Sequence, residues 1–161
     1  MSGRAPRSPR VQVVAVGRLR PPHDAPGRLY EERLAGMLPF RADEVEPEPL
    51  QRGEARARAA EADRIRGRVA RGAWRVALDP EGRQPASSEA FAAWLEKRLA
   101  SGRPVAFIVG GASGIDGALM AECEERLALG TLTMPHQLAR VVLTEQLYRA
   151  ACILAGHPYP H

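Results

Sequence analysis

The strongest constraint on this chain lies in its last third. An apolar run, Phe107-Ile108-Val109, breaks into Gly110-Gly111-Ala112-Ser113-Gly114-Ile115-Asp116. Leu129-Gly130-Thr131-Leu132-Thr133-Met134 follows, and Pro135-His136 then opens one long helical pattern ending Gly156-His157-Pro158-Tyr159-Pro160-His161. Two loops that each follow a strand and lead into a helix, closed by an aromatic, imidazole-bearing tail, predict a cofactor pocket made largely of backbone. The reactive side chains then come from the last helix and the tail. Paired glycines permit close approach of the backbone and positive φ.

A chain of 161 residues, 45% hydrophobic and 5% aromatic, reads as one compact domain with a real core. No apolar run reaches the roughly 18 residues that span a bilayer, and Met1–Arg10 has no apolar signal core. Cys123 and Cys152 sit in helical patterns without a CxxC or a histidine at metal spacing, so neither a disulfide nor a metal site is expected. A reduced, cytoplasmic setting follows. Charge is uneven: residues 1–75 carry 16 of the 23 basic groups but 10 of the 19 acids, and only Lys97 is a lysine. Arginine forks grip phosphate and stack on bases, which suits RNA, although a solvated surface reads the same way.

Strand and helix patterns alternate along the chain. Val11–Val16 is a buried strand and 27–38 a helix stopped by Pro39. The stretch 45–50 is an edge strand, since Pro47 and Pro49 cannot donate to a ladder. From Gly53 to Val69, Ala55, Ala59, Ala62, Ile65 and Val69 make a narrow apolar stripe beside Arg56, Arg58, Arg64, Arg66 and Arg68. Residues 74–78 form a strand ending at the turn Asp79-Pro80-Glu81-Gly82, and Ser87 or Ser88 caps a helix to Leu99. A strand over 104–109, a helix over 116–127, a brief strand or extended loop over 129–134 and a helix over 135–155 complete the series. Five strand-to-helix units predict an α/β domain, residues 11–161, with an open, mostly parallel sheet flanked by helices. Residues 1–10, rich in Arg, Pro and Ser, are expected to form a disordered arm.

Ligands of such sheets gather at the carboxyl ends of the strands. The loops after Leu78, at Gly110-Gly111 and over 129–134 lie there. Their spacing is not the GxGxxG dinucleotide pattern, and there is no Gly-Lys-Ser/Thr.

Six stretches stand in order from Val11 to the C-terminus: Val14-Ala15-Val16-Gly17-Arg18-Leu19, Tyr30-Glu31-Glu32-Arg33-Leu34, Ala77-Leu78-Asp79, Phe107-Ile108-Val109-Gly110-Gly111, Leu132-Thr133-Met134-Pro135-His136 and Leu143-Thr144-Glu145-Gln146-Leu147-Tyr148-Arg149-Ala150. In these the chain resembles the SPOUT-class family that methylates N3 of a pseudouridine in large-subunit ribosomal RNA, the RlmH family. The resemblance implies a C-terminal trefoil knot, which ordinary topology rules would never propose. It implies S-adenosyl-L-methionine as cofactor, held at Leu78, Gly110, Gly111, Leu129, Gly130, Thr131, Leu132, Thr133 and Met134, mostly through backbone. It also implies a homodimer and a ribosomal substrate. The last helix is the natural interface, since Leu138, Val141, Val142, Leu147, Tyr148, Ile153 and Leu154 cover more than one stripe.

Methyl transfer from a sulfonium chiefly needs alignment, while an imide nitrogen needs its proton eased away. Arg149 is the candidate to stabilise charge on base or phosphate, because it keeps its proton. His136 and Glu145 are candidates for assisting proton removal, with helix-start capping and an i,i+4 pair to Arg149 as their structural alternatives. Tyr159 can stack on the target base. The tail departs from the family's usual His-Pro-Tyr-His by the insertion of Pro160, which displaces His161. Other functions that explain these residues are a noncatalytic ribosome-assembly factor, a SPOUT enzyme acting on transfer RNA and, furthest, a Rossmann-type nucleotide enzyme.

Overall fold

The computed structural model of the chain describes residues 8–159. Its strands are β1 (Val11–Val16), β2 (Phe40–Val45), β3 (Trp74–Arg83), β4 (Val105–Val109) and β5 (Glu125–Leu127). They form one sheet in the order β2-β1-β4-β3-β5, and every pairing is parallel. The helices are α1 (Asp24–Ala35), α2 (Glu54–Arg66), α3 (Ser88–Leu99), α4 (Gly117–Ala121) and α5 (His136–Ala155).

Alternation along the strands sorts the core into two layers. Val11, Val13, Ala15, Val105, Phe107 and Val109 face α1, α3 and α5, which close over them with Leu34, Phe91, Leu95, Leu143 and Leu147. Val14, Val16, Val45 and Ile108 face the opposite layer, where Ala62 and Ile65 of α2 and Leu119 of α4 pack. Both sheet faces are therefore covered, and the central strands β1 and β4 are buried along their whole length and apolar but for Gln12. Gln12 is the polar residue inside β1, fully buried and fully bonded. Its amide nitrogen donates to Asp43 Oδ2 (2.7 Å) and to the Arg68 carbonyl (2.8 Å), and its oxygen accepts from Ala70 N (2.8 Å).

Several elements fall elsewhere than the sequence patterns predict. The edge strand lies over Phe40–Val45, ahead of the prolines, so Pro47 and Pro49 mark its exit and not its body. Helix α1 begins at Asp24 and ends at Ala35, three residues earlier at each end than predicted. In α2, Ala57, Glu61, Ala62 and Ile65 are buried while Ala55 and Ala59 face solvent, a stripe rotated from the predicted one. The turn at 79–82 is an excursion within β3: Leu78 and Arg83 both pair with Leu127. The helix predicted over 116–127 stops at Ala121, and Glu125–Leu127 is instead the edge strand β5. Tertiary partners overrule its helical composition, because the Glu125 carboxylate accepts from Trp74 Nε1 (2.8 Å), Trp94 Nε1 (3.1 Å) and Arg98 Nη2 (3.0 Å). Residues 129–134 are loop, the second of the two readings that the sequence offers. Cys123 therefore lies between α4 and β5 and not inside a helix; burial pushes its thiol up to about 11, while Cys152 is buried in α5.

Residues 1–7 of the expected arm lie outside the described residues. Pro9 is already buried, and Arg10 extends β1 by donating from its N–H to the Pro39 carbonyl (2.8 Å) and accepting from Val105 N (2.9 Å).

Helix α5 is locked to the first layer by a buried cation. Arg140, whose side chain is 3% exposed, pairs with Glu31 of α1 (2.8 Å) and Glu44 of β2 (2.5 Å). Burial alone would raise the Glu44 carboxyl, but Arg140, the Leu19 N–H and Arg28 outweigh it and hold the group below its ordinary 4.5. The stabilisation is thus complete above 4.5 and is lost as pH falls through the depressed value. Arg140→Met strands two partly buried carboxylates side by side. A loss of about 3 kcal/mol in urea unfolding at neutral pH is expected, shrinking in acid; an unchanged midpoint would refute the role of the network.

Candidate active site

The carboxyl ends of β3 and β4 and the loop after β5 enclose a cavity of about 790 Å³. Leu78, Gly110, Gly111, Leu129, Gly130, Leu132 and Met134 line it, as does His136 at the start of α5. Thr131 and Thr133, in the same loop, are exposed and stand off the lining. Leu132 is 81% exposed and forms an open apolar lip. Asp79, Pro80, Ser113, Ile115, Met120 and Ala139 also line the cavity, unforeseen from the sequence, and so does Arg58 of the cationic helix α2. Asp79 carried a signal, being the end of the Ala77-Leu78-Asp79 motif; Met120 and Ala139 carried none.

Most of the wall is backbone or aliphatic side chain; Arg58, Asp79, Ser113 and His136 supply the polar side chains. Backbone N–H and C=O groups with apolar walls suit a nucleoside-like ligand and leave a sulfonium unpaired by any carboxylate except Asp79.

At Gly110 and Gly111 the missing side chain serves packing, not unusual dihedrals. Neither Gly110 nor Gly111 has positive φ; Gly114 does, at +83°. A Cβ on Gly110 would stand 2.8 Å from the Gly114 carbonyl carbon and 2.9 Å from Ile115 Cγ1. A Cβ on Gly111 would point away from the cavity, 2.9 Å from Val16 Cγ1 and 3.3 Å from Glu61 Oε2. Glu61 thus buttresses the loop from behind. Its buried carboxyl is raised by desolvation, against the opposing pull of the Glu48 N–H and Arg64. The Gly111 carbonyl accepts from Gly114 N (3.0 Å), closing the turn, and Asp116 caps α4 through Ala118 N and Leu119 N.

His136 is half-buried at the cavity edge. Burial, and then the neighbouring His23, lower its pKa below the ordinary 6.5, so its imidazole is neutral at pH 7 and able to accept a proton.

The other three expected catalytic residues form a separate cluster, off the lining of this cavity. Glu145 Oε1 accepts from Arg149 Nη2 (2.7 Å), Arg149 Nε (3.2 Å) and the Tyr159 hydroxyl (2.5 Å). Gln146 Nε2 donates to the second oxygen (2.7 Å), and the Arg149 guanidinium lies 4.1 Å from the centre of the Tyr159 ring. Tyr148 stands beside Tyr159, with ring centroids 5.7 Å apart. Burial and the bond to Glu145 push the Tyr159 phenol up, so it stays a donor. The i,i+4 pair therefore exists and also anchors the tail. His161 and Pro160 lie outside the described residues.

Along α5, Leu138, Val142, Glu145 and Arg149 recur at intervals of four, three and four and share one face. Leu138 is 38% exposed. Leu147 and Val141, expected on the same open surface, are instead buried in their own domain. Among the described residues, no helix is long and apolar enough to cross a membrane, and no three His, Cys, Asp or Glu side chains cluster to hold a metal.

Residues 10–161 match the family model described as "Predicted SPOUT methyltransferase". A ribosomal RNA large subunit methyltransferase H from Thiobacillus denitrificans is 43% identical over 153 residues, spanning 93% of this chain and 97% of that protein. The protein of the same name from Bordetella pertussis is 46% identical over 132 residues, covering 81% and 84%. Among solved structures, a probable methyltransferase from Bordetella pertussis Tohama I shares the fold, with a TM-score of 0.53 and 17% identity over 89% of this chain and 95% of that one.

Proposed function

This chain belongs to the SPOUT methyltransferase family, and on that premise we propose that it methylates N3 of a pseudouridine in large-subunit ribosomal RNA, acting on the assembled ribosome in the cytoplasm. The observation that carries the reading is the cavity walled by the Leu78 end of β3, the Gly110–Gly111 turn and the 129–134 loop. Three chain segments converging on one backbone-lined space are also what the family's C-terminal knot would produce.

S-adenosyl-L-methionine, when bound, supplies an electrophilic methyl group on a sulfonium. Gly110, Gly111 and the 129–134 loop would hold it through main chain, with Leu78 and Met134 as apolar wall. The neutral His136 receives the imide proton as N3 gains the methyl group, directly or through one water. Arg149, oriented by Glu145, sets its charge against the base oxygen or an adjoining phosphate. Tyr159 offers a ring face to the base. Since the Glu145–Arg149–Tyr159 cluster stands apart from the cavity of its own subunit, it serves the cavity of a second subunit, paired through the Leu138–Val142 face of α5.

Mass spectrometry of large-subunit RNA from a strain lacking the gene tests the activity: one methylated pseudouridine is expected to lose a methyl group and regain it on complementation. An unaltered RNA would reject the assignment. Pairing through α5 has its own test. Val142→Glu places a carboxylate in the subunit contact, so sedimentation is expected to shift from dimer to monomer with loss of turnover; a stable, active monomer would contradict the shared site.

A further inference from the structure

The expected electrostatic partner of RNA was the cationic face of α2, yet much of that face is neutralised locally. Arg58 pairs with Glu54, Arg64 with Glu48, and Arg66 with both Asp63 and Glu122. A guanidinium already matched to a carboxylate releases few counterions on meeting a phosphate. Arginines without such partners are better placed to bind the backbone.

Two of them stand on the loop that leaves β1 at Gly17. This loop is tied to the cavity edge by Gln137, the residue that follows the cavity-lining His136 in α5. It ends at His23, whose charge is felt by His136 at the cavity edge. Its backbone is held at four consecutive residues. The Gly17 carbonyl accepts from Arg140 Nη1 (3.5 Å), and the Arg18 carbonyl from Gln137 Nε2 (2.7 Å). Leu19 N donates to Glu44 Oε2 (3.2 Å), and Arg20 N to Gln137 Oε1 (2.9 Å). Leu19 is buried beneath the loop, while Arg18 and Arg20 alternate outward and are exposed. Among the described residues, neither guanidinium has an ion pair or a side-chain hydrogen bond.

We propose that Arg18 and Arg20 form a phosphate clamp at the mouth of the active site, gripping the RNA backbone beside the acceptor nucleotide. The loop is fixed by its main chain, and its cations are left unspent. Fixing the backbone removes part of the ordering cost that flexible arginines would incur on binding. Gln137 makes the coupling direct, because it follows His136 in α5 and bonds the loop on both sides of Leu19. RNA seated on the clamp is therefore in register with the cavity. This inference rests on the proposed ribosomal substrate and adds the residues that dock it.

The test uses the full-length dye-labelled protein, intact ribosomes from a strain lacking the gene, and fluorescence anisotropy over a potassium chloride series. The Arg18→Gln, Arg20→Gln double variant is expected to bind ribosomes about tenfold more weakly at low salt, with a log–log salt slope shallower by about two. Affinity for S-adenosylhomocysteine is expected to stay at the parent value, since neither residue lines the cavity. The Arg18→Lys, Arg20→Lys variant keeps the charges and is expected to keep the slope. A glutamine variant with the parent affinity and slope overturns the clamp, and leaves the methyltransferase assignment standing as long as the parent methylates those ribosomes. A parent that neither binds nor methylates them overturns both.

Discussion

Arg149→Ala is expected to lower the methylation rate on ribosomes by about a hundredfold or more, the effect of losing one preorganised charge donor at a reacting centre. The fold survives, because Arg149 is 28% exposed and its pair with Glu145 lies one turn away on the same helix, an arrangement that contributes well under about 1 kcal/mol. Cofactor affinity stays near the parent value, since Arg149 is absent from the lining of the cavity. That separation, turnover lost with binding kept, marks an interaction made chiefly in the transition state. Arg149→Lys keeps charge but loses the fork that reaches Glu145 from both Nε and Nη2, so only partial recovery is expected. Parent-like turnover in Arg149→Ala would remove the cluster from the mechanism.

Gly110→Ala acts on the opposite half of the site. Its new Cβ meets main-chain atoms of Gly114 at 2.8 and 2.9 Å, distances that only a backbone shift can relieve. The turn between Gly111 and Gly114 must open, and the wall of the cavity moves with it. Titration calorimetry with S-adenosylhomocysteine is expected to show affinity lower by tenfold or more, roughly 1.4 kcal/mol, with the dichroism spectrum retained. Normal affinity in the folded variant would detach this turn from the cofactor. Gly111→Val strains a different contact, because its side chain would press on Val16 and Glu61 and not on ligand. Mixing Gly110→Ala with Arg149→Ala then examines the shared site. Each is impaired alone, one in cofactor binding and the other in turnover. A mixed dimer contains one cavity with sound parts from both subunits and, at a cofactor concentration limiting for Gly110→Ala, is expected to recover activity. No recovery after subunit exchange would mean that the cluster and the cavity serve each other within one chain.

What the sequence made legible follows physical lines. β1, β4, α3 and α5 read clearly because burial on both sheet faces demands unbroken apolar runs, and because Ser87 and Gly156 mark helix ends by local chemistry. β2 was obscured because it is an edge strand containing Arg41, Asp43 and Glu44; Arg41 pairs with Asp43 inside the strand, while Asp43 and Glu44 are satisfied by Gln12, Arg28 and Arg140 from distant segments. β5 was hidden for a similar reason: Glu125 sits in a strand because two tryptophans and an arginine satisfy it. At the candidate site, loop positions such as Leu78, Gly110 and Met134 were visible through the family resemblance. Arg58 and Ala139 were not assigned there, since helix faces are assigned from apolar spacing and these meet the cavity only through tertiary packing. The wrong rotation of α2 arose because its small alanines carry little directional signal, and the buried Glu61 belongs to its inward stripe.

The excursion in β3 has an evolutionary consequence. Leu78 and Arg83 share Leu127 as partner, so residues 79–82 are spliced into the strand without altering its pairing on either side. Asp79 and Pro80, within the splice, shape the cavity rim, while Gly82 lets the chain return against β5, where a Cβ would lie 2.7 Å from the Arg126 backbone. Lineages can therefore lengthen, shorten or recompose the rim as a module while the sheet register is inherited intact. Selection on what the pocket admits is uncoupled there from selection on folding, and length variation among descendants should concentrate between Leu78 and Gly82.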